Sequence, residues 1–330
     1  THSSKIIKTG SPRADLWRPL FSDYWGIPSQ TPKKPFLLIS SNMAWSNSVV
    51  PFHESFMNFK RGGYYQREPW LVDFHFGYTA DNYLITAAFM KAIQYLSKHN
   101  NGYDIVLRPH PVENVKIWKT FLDGIPNVHV IREDAISAWV NNAFAVMHNG
   151  CTTAYEATIS NKPLLTYVPH VQKYENELPN KLGYRVQTPE ELLNKVNSIF
   201  HDLKSGIKND INKPLPEIVT KKILIDEEEL AAYKIVKKWD SLDNKNLSQT
   251  SNWTKFQWFL KAINFKKTLI EVLKKLFPSK FGSYKENHKF PPLNKHDISK
   301  RISNLQQILG IHDKLECKIL SERTILIKQP

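Results

Sequence analysis

The chain has 330 residues, 41% of them hydrophobic, and a formal net charge of +14. Its length gives room for about two domains around a sizeable core, which excludes a disordered chain; its two cysteines, Cys151 and Cys317, exclude a disulfide framework and suit a reducing compartment, the cytoplasm by default. The charge is local: Lys245 to Lys289 hold ten lysines against Glu271 and Glu286, more than half of the excess, which points to anionic lipid or a phosphorylated substrate and away from nucleic acid.

The chain opens THSSKIIKTGSPRADLW, without methionine or a secretory signal, and no run of residues is long and apolar enough to span a membrane. The expectation is that residues 1–34 are a connection between domains in part of a longer protein. From Pro35 onward, short apolar runs alternate with longer amphipathic stretches. PFLLISSN (35–42), YDIVLRP (103–109), NVHVIRE (127–133), FAVMHNG (144–150), KPLLTYVP (162–169) and the short YRVQT (184–188) read as strands. Stretches near 80–99, 113–123, 135–142, 152–160 and 189–201 read as helices. Such alternation predicts right-handed crossovers and a parallel sheet covered on both faces, an α/β Rossmann-like domain over 35–203.

Asn42 to Tyr78 interrupts the rhythm. It is too long for an ordinary connection and rich in aromatic, Asn and Arg side chains, so it is either an active-site loop or an inserted packing element. The loop is the reading taken, because the segment leaves the carboxyl end of the first strand, where open α/β sheets bind ligands. Past the sheet, 204–252 is a polar linker with one helix around Asp226 to Trp239. Residues 253–330 form a basic helical extension, with a helix over 253–277 and, within 297–330, a further helix and an ECKILSERTILIK hairpin. There is no internal repeat, and neither a Gly-x-Gly-x-x-Gly nor a Walker A loop is present, which removes the usual dinucleotide and P-loop readings.

Two strand ends should share one rim of the sheet. The first, DIVLRPHPVEN (104–114), breaks from strand into Arg108-Pro109-His110-Pro111, where two prolines fix the backbone around a histidine. The second is HNGCTTAYEA (148–157), a strand end turning through Gly150 into a helix. Backbone N–H groups at a helix start and threonine hydroxyls suit a phosphate, and Glu156, one turn in, can accept from ribose hydroxyls. Each piece has a plainer account: Thr152 as an N-cap with Thr153 and Glu156 in a capping arrangement, His110 as the end of a strand, Arg108 as a partner for a surface carboxylate. Cys151 as a nucleophile has no base assigned to it. Taken together on one rim, the two segments favour a phosphate site.

These residues also carry a resemblance. GSPRAD (10–15), the strand end SSN (40–42), LRPHP (107–111), HNGCTTAYEA and KPLLTYVP resemble bacterial surface carbohydrate biosynthesis proteins, a glycosyltransferase-like family of GT-B fold. The likeness runs from about Gly10 to Phe200, with an echo in KFPPLNKHDISKRI (289–302), and the His-Pro element also occurs in sialyltransferases, Kdo transferases, polyol-phosphate transferases and UDP-sugar 2-epimerases. The resemblance implies the C-terminal, donor-binding domain of a GT-B enzyme. His110 then contacts the nucleotide or phosphate of a nucleotide-sugar donor, Asn149, Gly150, Thr152 and Thr153 the phosphate oxygens, Glu156 the ribose, and Asn42 the sugar or phosphate, with Arg108 supplying positive charge. No cofactor and no metal is implied, since no Asp-x-Asp motif is present. GSPRAD has Ser11 where the family has Asn and begins at residue 10, so the acceptor domain, and a catalytic base with it, is not expected in this sequence. No catalytic set is named.

The implied activity, when the enzyme is complete, is transfer of a sugar, hexosyl or of Kdo or sialic-acid type, to a surface polysaccharide or lipid-linked glycan acceptor. A UDP-sugar 2-epimerase and a nucleotide-binding fragment without turnover are the alternatives. In WTKFQWFLKAINFKKTLIEVLKKLF (253–277), Trp258, Ala262, Phe265, Leu269, Val272 and Leu276 follow a four-and-three spacing, an apolar stripe flanked by lysines. It is either a helix packed on the domain or one lying on the anionic inner leaflet, which would make the protein peripheral at the plasma membrane.

Overall fold

A computed structural model describes residues 6–100, 102–207, 214–241, 293–321 and 324–329, with single positions between 255 and 270. The chain divides into two compact units, Thr1–Leu230 and Ala231–Pro330, the division falling inside the polar stretch 204–252.

The first unit opens with α1 (Pro12–Asp15), a 3-10 turn (Pro19–Phe21) and α2 (Ser22–Trp25). GSPRAD is a capped helix start: the Ser11 side chain accepts from the Ala14 N–H and Pro12 sits where a missing N–H does no harm. This segment packs along the sheet domain, with Ala14 and Phe21 buried and the Ser160 hydroxyl donating to the Trp17 carbonyl at 2.7 Å.

The sheet follows, with β1 (Phe36–Ser40), then α3 (Phe52–Arg61), α4 (Tyr64–Arg67) and α5 (Trp70–His99), β2 (Asp104–Arg108), α6 (Val115–Leu122), β3 (Val128–Val130), α7 (Ile136–Asn142), β4 (Ala145–His148), α8 (Thr153–Ile159), β5 (Leu164–Tyr167), α9 (Glu177–Asn180), β6 (Tyr184–Val186), α10 (Pro189–Lys204) and α11 (Glu217–Thr220). All six expected strands are present and parallel, in the order β3-β2-β1-β4-β5-β6. Successive strand residues feed opposite cores, as a period of two requires. Leu37, Ile39, Ile105, Leu107 and Met147 meet Phe89, Ile93 and Leu96 of α5, Trp118 of α6 and Val196 of α10. On the other face, Leu38, Val106 and Val146 meet Trp139 of α7, Ala154 and Ala157 of α8 and Val219 of α11. The α/β Rossmann-like architecture is therefore what the alternation of elements dictates.

The segment after β1 corrects the loop reading. It is mostly helical, because Phe52, Phe56 and Phe59, spaced four and three apart, share one face of α3 and stack against Phe76, Tyr65 and His75. The helix expected to begin near residue 80 starts at Trp70. At 30 residues α5 spans about 45 Å, while a five-residue strand spans about 17 Å, so its first half runs past the carboxyl rim of the sheet. Its buried residues change character to match: His75, Thr79 and Asn82 in the first half, and in the second Ile85, Ala88, Phe89, Ala92, Ile93 and Leu96, with Thr86 alone polar.

The second unit contains α12 (Ala231–Asp240), α13 (Lys295–Leu309) and an antiparallel pair, β7 (Glu316–Ser321) with β8 (Thr324–Lys328). Of the helix expected over 253–277, Lys255, Trp258, Phe259, Ala262, Phe265, Lys266, Leu269 and Ile270 are helical, and the other positions lie outside the described residues. Among the described residues no helix is long and apolar enough to cross a membrane.

Candidate functional site

The strand order changes direction between β1 and β4, and in open α/β sheets ligands sit outside the carboxyl ends at such a point. The pairing register lines up the relevant residues. Ser40 at the end of β1 pairs with Arg108 on one side and His148 on the other. With strands about 4.8 Å apart, the backbones of Arg108 and His148 lie roughly 10 Å from each other. The His-Pro loop and the HNGCTT turn thus share one rim, flanking Ser41 and Asn42.

The His-Pro loop is fixed by more than its prolines. Glu113, fully buried, accepts from the Trp118 indole at 2.6 Å, the Met43 N–H at 2.8 Å, the Ser41 hydroxyl at 2.9 Å and the His110 N–H at 3.3 Å. Burial pushes its carboxyl up, and the bonds from Trp118, Met43, Ser41 and His110 work against that rise. One carboxylate therefore ties the loop after β1 to the loop after β2. Nothing in a single Glu within HPVEN announces this. Its only signal is the spacing to Trp118, one and a half helical turns on.

His110 is half-buried, and its Nδ1 accepts from the Val112 N–H at 3.4 Å. In the neutral ring that leaves the proton on Nε2, a donor. Arg108 donates to the backbone carbonyls of Glu133, at 2.5 Å, and Asp134. Burial draws its guanidinium down to about 10, against the pull of Asp134 and Glu133.

At the end of β4 the chain turns through Gly150 at φ +58°, a left-handed conformation that glycine adopts without strain. Its N–H donates to Asn180 Oδ1 at 2.7 Å, and its carbonyl accepts from Asn42 at 3.2 Å and Asn176 at 2.8 Å. Asn149 donates to the Tyr167 carbonyl at 2.8 Å. The Thr153 hydroxyl lies inward, 3.1 Å from both Ser40 Oγ and Cys151 Sγ, while Thr152 is exposed and makes no side-chain cap. Asn42, Asn149 and Gly150 are thus close around one turn, with Thr153 behind it and Thr152 at the surface.

Two buried groups underlie this rim. His148 bonds Thr166 through Nε2 at 2.9 Å, and burial holds its imidazole down at about 3. Glu156 is 3% exposed, and burial pushes its carboxyl up to about 7 against a hydrogen bond from Ser137 and the charges of Arg13 and Arg108. Sequence reasoning did not find Tyr78, Asn82, Gln172 or Asn176, which close a narrow cleft beside Asn42, Asn149 and Gly150. Two larger cavities lie elsewhere: about 660 Å³ along β6 and α10, and about 630 Å³ at the amino ends of β4 and β5, lined by Lys162 and Pro216. Strand topology, not volume, singles out the rim.

No protein-family model and no curated protein sequence matches the chain. Among solved structures, it is similar to the wall teichoic acid polymerase TagF at 12% identity and a TM-score of 0.40, covering 73% of this chain and 54% of that one. It is similar to TarM at 15% identity and a TM-score of 0.34, covering 65% and 36%. A third likeness is to the UDP-GlcNAc 2-epimerase of Methanocaldococcus jannaschii in complex with UDP-GlcNAc and UDP, at 13% identity and a TM-score of 0.36, covering 73% and 56%. The chain therefore spans between 36% and 56% of the length of these structures. Likenesses of this strength carry no argument about chemistry, which rests on the residues of the rim.

Proposed function

We propose that residues 1–230 bind a nucleotide-sugar at the β1–β4 rim and serve as the donor half of a glycosyltransferase. The observation that carries this reading is the convergence, at the point where strand order reverses, of Ser40 to Asn42, the His110 loop and the Gly150 turn. There the His110 imidazole and the exposed Thr152 hydroxyl face a diphosphate as donors. Such donors stabilise the charge that develops on a departing nucleotide. Asn42 and Asn149 already bond the backbone, which favours a part in shaping the turn. Glu156 lies beneath the surface beside Arg13 and Arg108, which favours balancing those cations over a ribose contact.

The acceptor in this reading is a surface or lipid-linked glycan. Trp258, Phe259, Phe265 and Leu269 are 69%, 60%, 73% and 51% exposed, which supports a membrane-facing role for the 253–277 segment with its lysines.

The test is a melting-temperature panel of the whole chain with uridine and cytidine mono- and diphosphosugars. One nucleotide series should raise the melting temperature; no response to any of them defeats the reading. Adding acceptor separates the reactions, because an epimer formed without acceptor identifies a 2-epimerase instead.

A further inference from the structure

The cleft beside the rim has an unusual chemical balance. It is lined chiefly by Asn42, Tyr78, Asn82, Asn149, Gln172 and Asn176, and no lining residue is charged. Four of the carboxamide nitrogens already face backbone carbonyls: Asn42 and Asn176 that of Gly150, Asn82 that of Tyr78 at 2.9 Å, and Asn149 that of Tyr167. A carbonyl only accepts, so these amides must present nitrogen to it and keep their oxygens as acceptors, that of Asn149 taking the Gln172 amide at 3.5 Å. The decisive group is Asn82. It is 6% exposed on the polar half of α5, and its Oδ1 is buried without a hydrogen-bond partner. An orphaned buried acceptor carries a desolvation penalty unless a donor reaches it.

We infer that this cleft is a subsite for a hydroxyl of an uncharged sugar or polyol, the group carried by the nucleotide bound at the neighbouring rim. The inference rests on the donor reading above and narrows it. The unpartnered Asn82 oxygen selects a hydroxyl donor and repels the carboxylate of an acidic sugar. An ammonium is disfavoured, because no carboxylate lines the cleft to balance its charge. The cleft's volume of about 10 Å³ admits a group the size of one water, so one hydroxyl enters while the ring stays at the mouth. Tyr78, stacked on Phe74 at 5.5 Å, forms an aromatic wall of the kind that orients a ligand between apolar and polar contacts.

Calorimetric titration of the whole chain with UDP, UDP-glucose, CDP, CDP-glycerol and CMP-sialic acid tests this, alongside ligand-observed NMR with free glucose and glycerol. The parent should bind a neutral conjugate about tenfold more tightly than its bare nucleotide, and Asn82→Leu should erase that gain while leaving bare-nucleotide affinity unchanged. Asn82→Ala is the second variant should leucine disturb folding, which circular dichroism reports. If nucleotides bind but the neutral group adds nothing, or the gain survives both variants, the subsite is wrong and the rim reading stands. A gain only for CMP-sialic acid overturns the subsite as well. If nucleotides fail to bind while glucose or glycerol contacts the parent and not Asn82→Leu, the subsite stands and the rim reading falls. No binding of any kind overturns both.

Discussion

The backbone N–H of Met43 donates to the carboxylate of Glu113 at 2.8 Å, joining the loop that leaves the first strand to the loop that leaves the second. Because the same carboxylate also holds Ser41, His110 and Trp118, the rim is a built structure in which the position of His110 depends on Glu113. Glu113→Ala leaves several buried donors unpaired and should destabilise the protein by about 3–5 kcal/mol. Glu113→Gln keeps one acceptor oxygen and should lose less. Urea unfolding of both variants checks the order, and two variants equal to the parent would show that the clamp does not hold.

Removing the imidazole of His110 should weaken nucleotide binding by about 1.5–3 kcal/mol, the worth of one charge-assisted hydrogen bond. The fold should survive, since the ring is half-buried at the rim. Calorimetric titration of His110→Ala is the measurement, and parental affinity for every nucleotide would make the histidine structural.

Gly150→Ala places a Cβ at φ +58° and 3.1 Å from the Cβ of Asn176. A left-handed non-glycine residue costs on the order of 1–3 kcal/mol, and here it also pushes on the residue holding the Gly150 carbonyl. The expected result is a lower melting temperature together with weaker nucleotide binding. A variant that loses neither would show a turn more compliant than its bonding implies.

Stability should fall on both sides of a middle pH. Glu156, raised to about 7 in the fold from an ordinary 4.5, binds more protons folded than unfolded. Its carboxyl therefore favours the fold below pH 4.5, and that advantage is lost as pH rises through 7, on the order of 3 kcal/mol in all. His148, held at about 3 from an ordinary 6.5, works the other way, favouring the fold above pH 6.5 and losing that as pH falls toward 3. Glu156→Gln should gain on the parent at pH 8 and not at pH 4 in urea unfolding. A constant difference across that range would contradict the assignment.

For the basic segment, co-sedimentation of the whole chain with vesicles should require anionic lipid and weaken as salt rises, each lysine near the surface contributing roughly 1 kcal/mol. Equal recovery with neutral vesicles, or none with either, would return the segment to ordinary packing.

The sheet was legible because buried parallel strands read as short continuous apolar runs, and DIVLR, AVMH and LLTY advertise themselves. The rim was legible through Arg108-Pro-His-Pro and His-Asn-Gly, since prolines and glycine mark where a strand must stop. The aromatic helices after β1 were not, because their rings pack on one another and on α5, and Phe52 or Phe59 alone does not say against what. Glu113, Asn82 and Asn176 stayed hidden for a related reason. Glu113 and Asn176 act through partners distant in sequence, Met43 70 residues from the one and Gly150 26 residues from the other, and Asn82 matters through cleft neighbours such as Asn42 and Asn149.

The most direct test is a crystal structure of the chain with the nucleoside diphosphate that most raises its melting temperature. The diphosphate should lie at the carboxyl rim, within hydrogen-bond distance of His110 and of the turn from Gly150 to Thr153. A nucleotide seated instead in the 630 Å³ cavity lined by Lys162 and Pro216, at the opposite edge of the sheet, would contradict the account.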